Sequence, residues 1–525
     1  MALPVVLIHG YSSEGRTAPG DSYDARSLRR IYGRLVNDLQ KLDANIVSVN
    51  LSRYISLDDG VSLEDVSLAM DRVLHRDHPE LLESGFDVII HSTGALVTRN
   101  WIRRYTKPGN CPVRHLVHLA GANFGSGWAH VGSSQVARFG RDIFQGTQTG
   151  LAVLRGLELA SSWAIDLHLH FLQDGQHMLK DYSVMEFCLV GSQVPPEYFL
   201  IPVRYGREDG SDGVVRVSAS NLNFNYLVIG STTDSDRIDW HRAADYAGKT
   251  SQLSITHTRS STVSKESDSF YEVKLDSKPG ARQVRPSRRT TGVARHLIPF
   301  AIPYATNHSD KDRKGAIVSG DDNREDVLSL IRSALAATPD NYADRIAEFD
   351  ATTARTYERV SHEEHSKGLL AGVYRAIRNA VSNPEGQYDA HSQLVIRVTD
   401  QFGMPVNNFS VYFNSYGGDS SPDQLINRLF EDKHRNEHTP NCVNFYLRSR
   451  KWDGSDWKSQ IEAIKGATLE IDAIDPLTQR VLFIPLRMKI VSSDLLKWIE
   501  PHRTTVIDIQ LTRLPHHVTF IMRQA

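Results

Sequence analysis

Short apolar runs alternate with segments of helical spacing over the first part of the chain. The apolar runs predict strands at residues 4–9 (PVVLIH), 45–51, 86–91 and 113–120. Between them, residues 22–42 and 62–83 place apolar side chains at the three- and four-residue steps of amphipathic helices. Wholly apolar strands that alternate with helices are typical of βαβ units, in which helices cover both faces of a parallel sheet. The pattern therefore predicts an α/β fold.

Residues 87–94 (DVIIHSTG) join the third predicted strand directly to a helix. The next stretch, ALVTRNWIRRY, again has helical spacing. A strand that turns at once into a helix is typical of a nucleophile elbow, in which a serine stands exposed above the sheet. Ser92 is therefore a candidate nucleophile. His9 and Gly10 lie at the end of the first strand, and we expect them at the same edge, because parallel sheets bind ligands at the carboxyl ends of their strands.

The alternation is interrupted after the fourth strand. Residues 125–185 are largely helical and apolar before strand character returns at FCLVG (187–191), so we predict either a cap beside the site or an extra packed layer of helices. Residues 232–292 are polar, which indicates a surface insertion with one short hairpin at FYEVKL. An amphipathic helix at 324–335 would close this domain.

The character of the chain changes near residue 386. From there LVIRVTDQFGMPVNNFSVYF and several later runs alternate every second residue, as strands with one buried face do. The predicted organisation has a catalytic domain at 1–338, with its cap at about 125–185 and its polar insertion at about 232–292. A helical connector at 339–385 and an all-β, sandwich-like accessory domain at 386–525 follow.

Composition narrows the classes of partner. The chain has 60 Lys and Arg against 62 Asp and Glu, so no basic field favours nucleic acid. Cys111, Cys188 and Cys442 are far apart and form no CxxC pair, which favours small buried side chains over disulfides. The N-terminus lacks the features of a secretory signal, and no apolar run reaches the length of a membrane span. We therefore predict a soluble chain, cytoplasmic as made, whose export would need a signal-independent route.

A serine hydroxyl becomes a nucleophile when an imidazole takes its proton and a carboxylate orients that imidazole. In this architecture the order along the chain should be serine, acid, histidine. Asp212 is the best candidate acid, since it lies in a glycine-flanked turn of GREDGSDGVVRVSASN before a strand-like run. Asp209, three residues earlier in the same turn, is the alternative.

The candidate base is His308. It lies in the polar loop ATNHSDKDRKGAI, between an apolar run and the helix that closes the domain. His296 and His257 are weaker alternatives, because one leads an apolar run and the other lies within the polar insertion. Chemistry of this kind needs no metal and no organic cofactor.

The oxyanion formed by attack needs two preorganised backbone N–H donors. One should come from Thr93, directly after the nucleophile at the start of its helix. The other should come from the loop HGYSSEG after the first strand, and we assign it to Tyr11.

Five segments resemble an α/β-hydrolase of the lipase type, in the branch of bacterial lipases and GPI inositol-deacylase-like proteins. They are LIHGY (7–11), IIHSTGALVTRNW (89–101), LAGANFGS (119–126), SDGVVRVSASNLN (211–223) and TNHSD (306–310). The resemblance covers about the first 335 residues and implies a mostly parallel α/β-hydrolase sheet with a helical cap insertion. It also implies Ser92 as nucleophile, Asp212 as acid and His308 as base.

The elbow departs from the family pattern at two positions. Ile90 stands where the first glycine of GxSxG is usual, and Ala95 replaces the second glycine after the serine. A bulky side chain at the first position predicts a wider crossing of the strand and helix.

The expected function is that of a serine carboxylic-ester hydrolase, a lipase or esterase that acts on acyl esters through an acyl-enzyme. The alternatives are a phospholipase, including an exported antibacterial effector, an acyltransferase, and a hydrolase-fold protein that binds without turnover. The expected partners are an ester or lipid substrate and, at its periphery, a lipid surface. The C-terminal domain is a candidate for binding a further, unidentified partner.

Overall fold

The computed structural model describes most of the chain, in two compact units. The described residues are 3–10, 32–42, 49–52, 59–132, 150–173, 175–195, 204–231, 253–259, 269–273, 297–308, 317, 321–365, 384–415, 425–453, 455–474, 480–516, 519 and 522. The first unit comprises residues 1–222, 296–389 and 452–456, and the second comprises 223–295, 390–451 and 457–525.

The strands are numbered along the chain. They are β1 (Val5–Ile8), β2 (Val49–Ser52), β3 (Phe86–His91), β4 (Val113–Leu119), β5 (Met185–Leu189), β6 (Asn225–Ser231), β7 (Leu253–Arg259), β8 (Ser269–Val273), β9 (Phe300–Ala301), β10 (Ala390–Asp400), β11 (Phe409–Ser415), β12 (Phe430–Arg435), β13 (Cys442–Trp452), β14 (Trp457–Ser459), β15 (Gly466–Ala473), β16 (Val481–Phe483), β17 (Leu486–Val491), β18 (Thr504–Leu511) and β19 (Arg513–Pro515).

The helices are numbered in the same way. They are α1 (Leu35–Leu42), α2 (Leu63–Asp77), α3 (Pro79–Ser84), α4 (Gly94–Tyr105), α5 (Gly127–Gly132), α6 (Leu151–Leu157), α7 (Ser162–His170), α8 (Val217–Ser220), α9 (Asp321–Leu335), α10 (Tyr342–His365), α11 (Pro384–Gln387), α12 (Leu425–Leu429) and α13 (Ser492–Trp498). A single 3₁₀ helix, Arg204–Arg207, is also described.

A six-stranded parallel sheet forms the centre of the first unit. Its order is β2-β1-β3-β4-β5-β9. Every residue of β1 and of β3 is buried, as the unbroken apolar runs predict for central strands of a parallel sheet. The predicted α/β architecture is confirmed, and the parallel order brings the carboxyl ends of β1, β3 and β4 to one edge.

Helices fill the segment between β4 and β5, where the sequence predicts an insertion. The described ones are α5, α6 and α7, while residues 133–149 lie outside the described ranges. Helix α6 packs against α2, and α7 packs against α4. The indole Nε1 of Trp163 in α7 donates to the Glu64 carboxylate of α2 at 3.1 Å. The helical insertion is therefore present, and its role as a cap stays a prediction.

The second unit is built from β-sheets, as predicted. Its large sheet has the order β12-β13-β10-β18-β6-β7-β8, with β14 paired to β13, and mixes parallel and antiparallel neighbours. A three-stranded antiparallel sheet, β11-β15-β17, and a small pair, β16-β19, accompany it. Buried side chains of β10 and β15, including Leu394 and Leu469, share one apolar core, which gives the unit its sandwich-like character.

The boundaries of the two units differ from the predicted domain boundaries in two places. Strand β6 pairs in parallel with β18, so that Asn225 lies opposite Thr505, and β7 and β8 extend the same sheet. Helix α10, in the predicted connector, belongs to the first unit. Pairing between strands so far apart in sequence leaves no local pattern. For that reason the polar composition of residues 232–292 predicted a surface insertion and not a part of this sheet.

Within the described ranges, no helix is both long enough and apolar enough to cross a membrane. The three cysteines are free thiols, and Cys188 and Cys442 are buried. Burial raises the pKa of the Cys188 thiol, so this side chain stays protonated and acts as a small apolar group.

Candidate active site

Ser92 lies on the sharp turn between β3 and α4. Its φ angle is +54°, in the left-handed region that residues with a Cβ rarely adopt. The turn is tied to the end of β4, because the Ser92 N–H donates to the Leu119 carbonyl at 3.1 Å and the Ser92 carbonyl accepts from the Ala122 N–H at 3.2 Å. The geometry is that of the elbow predicted from DVIIHSTG.

Two glycines make this turn compact. A Cβ at Gly10 would lie 2.6 Å from the Ser92 Cβ and 2.9 Å from the Thr93 nitrogen. A Cβ at Gly94 would lie 2.9 Å from the Ile8 carbonyl oxygen. The end of β1 and the elbow therefore touch, backbone against backbone, and only glycine fits at either position.

Asp212 and His308 form a buried hydrogen-bonded pair. Asp212 is fully buried, and its Oδ2 lies 2.9 Å from the His308 Nδ1. Its Oδ1 accepts from the backbone N–H groups of Val214 at 3.0 Å and Val215 at 2.7 Å. The His308 N–H also donates to the Asp212 carbonyl at 3.0 Å. A carboxylate accepts only, so this contact assigns the proton to Nδ1 and leaves Nε2 as the proton acceptor.

The loop that carries Asp212 is held by a second buried pair. Arg216 Nε and Nη2 donate to the two carboxylate oxygens of Glu208 at 2.8 and 2.6 Å, in the bidentate arrangement that guanidinium favours. The Trp128 indole donates to the Gly213 carbonyl at 2.7 Å. This pair was not predicted from the sequence, where its signal is a glutamate and an arginine that flank the acidic turn.

His91 connects the elbow to the candidate base. Its Nε2–H donates to the His308 carbonyl oxygen at 3.0 Å, and the two rings lie 4.7 Å apart between centroids. Burial, reinforced by the nearby His308, holds the pKa of His91 well below its ordinary value. His91 therefore stays neutral and adds no charge beside an imidazolium at His308. This role of His91 was not predicted from the sequence.

The remaining predicted site residues divide into those described and those outside the described ranges. Thr93 is the N-cap of α4, so its backbone N–H lies at a helix N-terminus, where intrahelical acceptors are lacking. Tyr11 and His296 lie outside the described residues. Asp209 is described, but the carboxylate in contact with His308 is that of Asp212. His257 is on β7 of the second unit, and its side chain is not described.

A second cluster of buried charge lies behind the elbow. Arg99 of α4 pairs with Glu186 of β5, and both side chains are 3% exposed. His118 Nε2 lies 3.2 Å from the same Glu186 oxygen. Although burial alone raises the pKa of the Glu186 carboxyl, Arg99 and His118 hold it down to about 2. Its sequence signal is weak, because the partners are far apart along the chain.

Comparison with solved structures defines the fold. Phospholipase PlaB from Legionella pneumophila is 22% identical, with a TM-score of 0.71 over 99% of this chain and 96% of that one. Its complex with thio-NAD has a TM-score of 0.68 at the same identity and coverage. The lipase BlEst2 of Bacillus licheniformis in mature form covers 42% of this chain, with a TM-score of 0.28 and 13% identity.

The similarity found by sequence comparison covers a shorter part of the chain than the structural similarity does. A family model described as palmitoyl protein thioesterase matches residues 4–149, a segment that includes Ser92. A search of curated protein sequences found no significant match. The parallel sheet, the elbow and the similarity to PlaB define the class: the chain has an α/β-hydrolase fold, followed by C-terminal mixed and antiparallel β-sheets. The predicted fold class is thereby confirmed.

Proposed function

We propose that this protein is a serine hydrolase of carboxylic esters, with Ser92 as nucleophile, His308 as base and Asp212 as the acid that orients the base. The observation that carries the proposal is the buried Asp212–His308 pair, which His91 links to a serine with φ +54°. A fully buried carboxylate held by two backbone N–H groups and an imidazole fits the orienting role in a triad.

In the proposed reaction, Ser92 Oγ attacks the ester carbonyl carbon and His308 Nε2 takes the hydroxyl proton. The negative charge moves to the carbonyl oxygen, where we assign the Thr93 and Tyr11 backbone N–H groups as donors. The tetrahedral intermediate then collapses, and the leaving alcohol takes the proton from His308. Water, deprotonated by His308, attacks the acyl-enzyme, and collapse of the second intermediate releases the acid and restores the Ser92 hydroxyl.

Lipid acyl esters are the proposed substrate class. Support comes from the similarity to PlaB over almost the whole of both chains, and from the thioesterase match at the elbow. Phospholipids are the second candidate within this class, because the PlaB similarity extends through the C-terminal sheets as well as the catalytic unit. An acyltransferase would use the same residues but pass the acyl group to an alcohol.

The first test is hydrolysis of p-nitrophenyl esters from acetate to palmitate by the wild type and by Ser92→Ala. We expect the variant to lose activity roughly a thousandfold or more, with an unchanged melting curve, because only a hydroxyl is removed. Labelling of Ser92 by a fluorophosphonate probe is the matched readout. An unlabelled wild type without ester turnover would overturn the proposal and favour a hydrolase-fold binding protein.

The substrate class is tested separately. Release of fatty acid from phosphatidylglycerol micelles, at a rate above that on soluble esters, would favour the phospholipase. Fluorophosphonate labelling with acyl transfer to added alcohol in excess of hydrolysis would favour the acyltransferase.

A further inference from the structure

The second unit exposes apolar side chains at a turn that projects into open space. Phe402 is 72% exposed and Met404 57%, and both lie in the turn at residues 400–405 that follows β10. A Cβ on Gly403, between them, would meet nothing within 4 Å. Ile474 is 68% exposed, and its N–H donates at 3.1 Å to the carbonyl of Asn408, just beyond the turn. Residues 400–405 and Ile474 together are called the apolar tip.

The turn is held in one conformation by a buried aspartate. Asp400 is 1% exposed, and its Oδ1 accepts from the N–H groups of Phe402 and Met404, both at 2.9 Å. The Asp400 N–H donates to the Met404 carbonyl at 2.9 Å. Gly403 takes the left-handed conformation, with φ +79°, that this turn requires. The backbone of the turn is thus preorganised, so little backbone ordering entropy opposes the use of Phe402 and Met404 in binding.

Two arginines flank the apolar tip. Arg435 donates to the carbonyl oxygens of Asn407 at 2.9 Å and Phe409 at 2.6 Å, directly after the turn. Both acceptors are uncharged carbonyl oxygens, so neither contact neutralises the charge of Arg435. Arg513 lies beside the turn, where its Nη1 contacts the Asp400 carboxylate at 3.3 Å, and its side chain is 38% exposed. Arg513 is paired with Asp400, so the cation available beside the exposed apolar side chains is Arg435. Exposed apolar side chains beside a cation match an interface of acyl chains and anionic headgroups.

We propose that the apolar tip inserts into the surface of an anionic lipid bilayer and seats the second unit on it. A stable protein interface buries about 1,200 to 2,000 Å². The three exposed side chains of the apolar tip supply roughly a few hundred Å², which is too little for such an interface. The same area is sufficient for peripheral insertion, because membrane affinity adds the burial of each apolar side chain to the attraction of nearby cations. The choice of lipid rests on the proposed function, since lipid esters lie in such surfaces.

The test is cosedimentation with vesicles of equal parts phosphatidylcholine and phosphatidylglycerol. We expect Phe402→Ser combined with Met404→Ser to weaken vesicle binding roughly tenfold or more, since two apolar side chains leave the interface. Arg435→Gln should weaken it roughly fivefold, and only on vesicles that contain phosphatidylglycerol. Tyr412→Ser is the matched control, because Tyr412 is 50% exposed on the same unit but outside the apolar tip.

Soluble-ester hydrolysis separates this inference from the proposed function. The double variant should hydrolyse p-nitrophenyl butyrate at the wild-type rate, and Ser92→Ala should bind vesicles as the wild type does. If the wild type hydrolyses soluble esters but does not bind vesicles, the proposal that the apolar tip inserts into a bilayer is wrong, and the catalytic proposal stands. Equal vesicle binding by the wild type and the double variant would also overturn it. If the double variant changes its oligomeric state but still binds vesicles, the apolar tip contacts a second copy of the chain and not a bilayer.

Discussion

Two buried carboxylates in the first unit have different partners. Asp212 lies next to the elbow and faces an imidazole, while two backbone N–H groups satisfy its other oxygen. Glu186 lies behind the elbow and faces the guanidinium of Arg99, which carries its charge at all ordinary pH values. A carboxylate paired with an imidazole alone can stabilise a proton as it arrives and leaves. Glu186 also contacts the His118 imidazole, but burial lowers the pKa of His118 and the Arg99 charge already matches that of Glu186, so this carboxylate is held in a permanent ion pair.

We therefore expect substitutions in the two pairs to have different effects, one on activity and the other on stability. Removing the charge of Asp212 should affect the reaction, because it changes which nitrogen of His308 carries the proton. Removing the charge of Glu186 should affect folding, because it leaves Arg99 buried without a counter-ion. These expected outcomes would separate the proposed catalytic pair from a structural one, although both are buried and both contain a carboxylate.

The largest expected effect is that of Asp212→Asn. An asparagine can still accept from Val214 and Val215, but its NH₂ would face the His308 Nδ1 and place the imidazole proton on Nε2. We expect kcat/KM for a soluble ester to fall roughly a thousandfold or more, with little change in melting temperature. Asp209→Asn is the matched control in the same turn. If Asp209→Asn costs more activity than Asp212→Asn, the acid is Asp209.

The second prediction concerns the pair behind the elbow. Glu186→Gln should lower the free energy of unfolding by about 3 kcal/mol, because it leaves the Arg99 guanidinium buried and unpaired. Urea denaturation measures this loss. At a temperature where the variant is folded, ester turnover should stay within a few-fold of the wild type. Asp77→Asn is the control, since its pair with Arg76 is exposed and screened by solvent, so its loss should leave the free energy of unfolding nearly unchanged.

Local elements of the fold were predictable because their signals are local. The predicted strand 86–91 coincides with β3, and the predicted 113–120 differs from β4 by one residue. The predicted helix at 62–83 is divided into α2 and α3 at His78, because Pro79 disfavours helical backbone in the residue before it. In each case the residues that decide the structure are neighbours along the chain.

The relations between distant segments were less predictable. The contact between Asp212 and His308 could be expected from the resemblance to a hydrolase, because a triad places its acid beside its base. Nothing local indicates that β6 joins β18, since pairing is decided by backbone hydrogen bonds between distant segments. The same holds for Arg99 and Glu186, which meet only when α4 is packed on the sheet.

The smallest expected effect is the pH dependence of stability, which depends on the buried charged groups behind the elbow. Burial, together with the charge of Arg99, lowers the pKa of His168 from 6.5 to about 3. The unfolded chain therefore binds a proton at pH values where the folded chain does not, so unfolding becomes easier as the pH falls below 6.5. Glu186 affects stability in a lower pH range. Because its pKa is depressed in the folded chain, its contribution to stability is present above pH 4.5 and is lost as the pH falls towards 2.

The free energy of unfolding should thus begin to fall below pH 6.5, and fall more steeply below 4.5. Each buried imidazole contributes a slope of up to about 1.4 kcal/mol per pH unit. His168→Phe keeps a ring beside Phe124 but cannot bind a proton, so it should remove about that much of the slope between pH 6.5 and 4.5, whatever its stability at neutral pH. Urea denaturation at a series of pH values measures the slope, and His75→Asn, at an exposed position, is the control. A slope equal in His168→Phe and the wild type would show that His168 is protonated in the folded chain, and that the charge behind the elbow is not confined to Arg99 and Glu186.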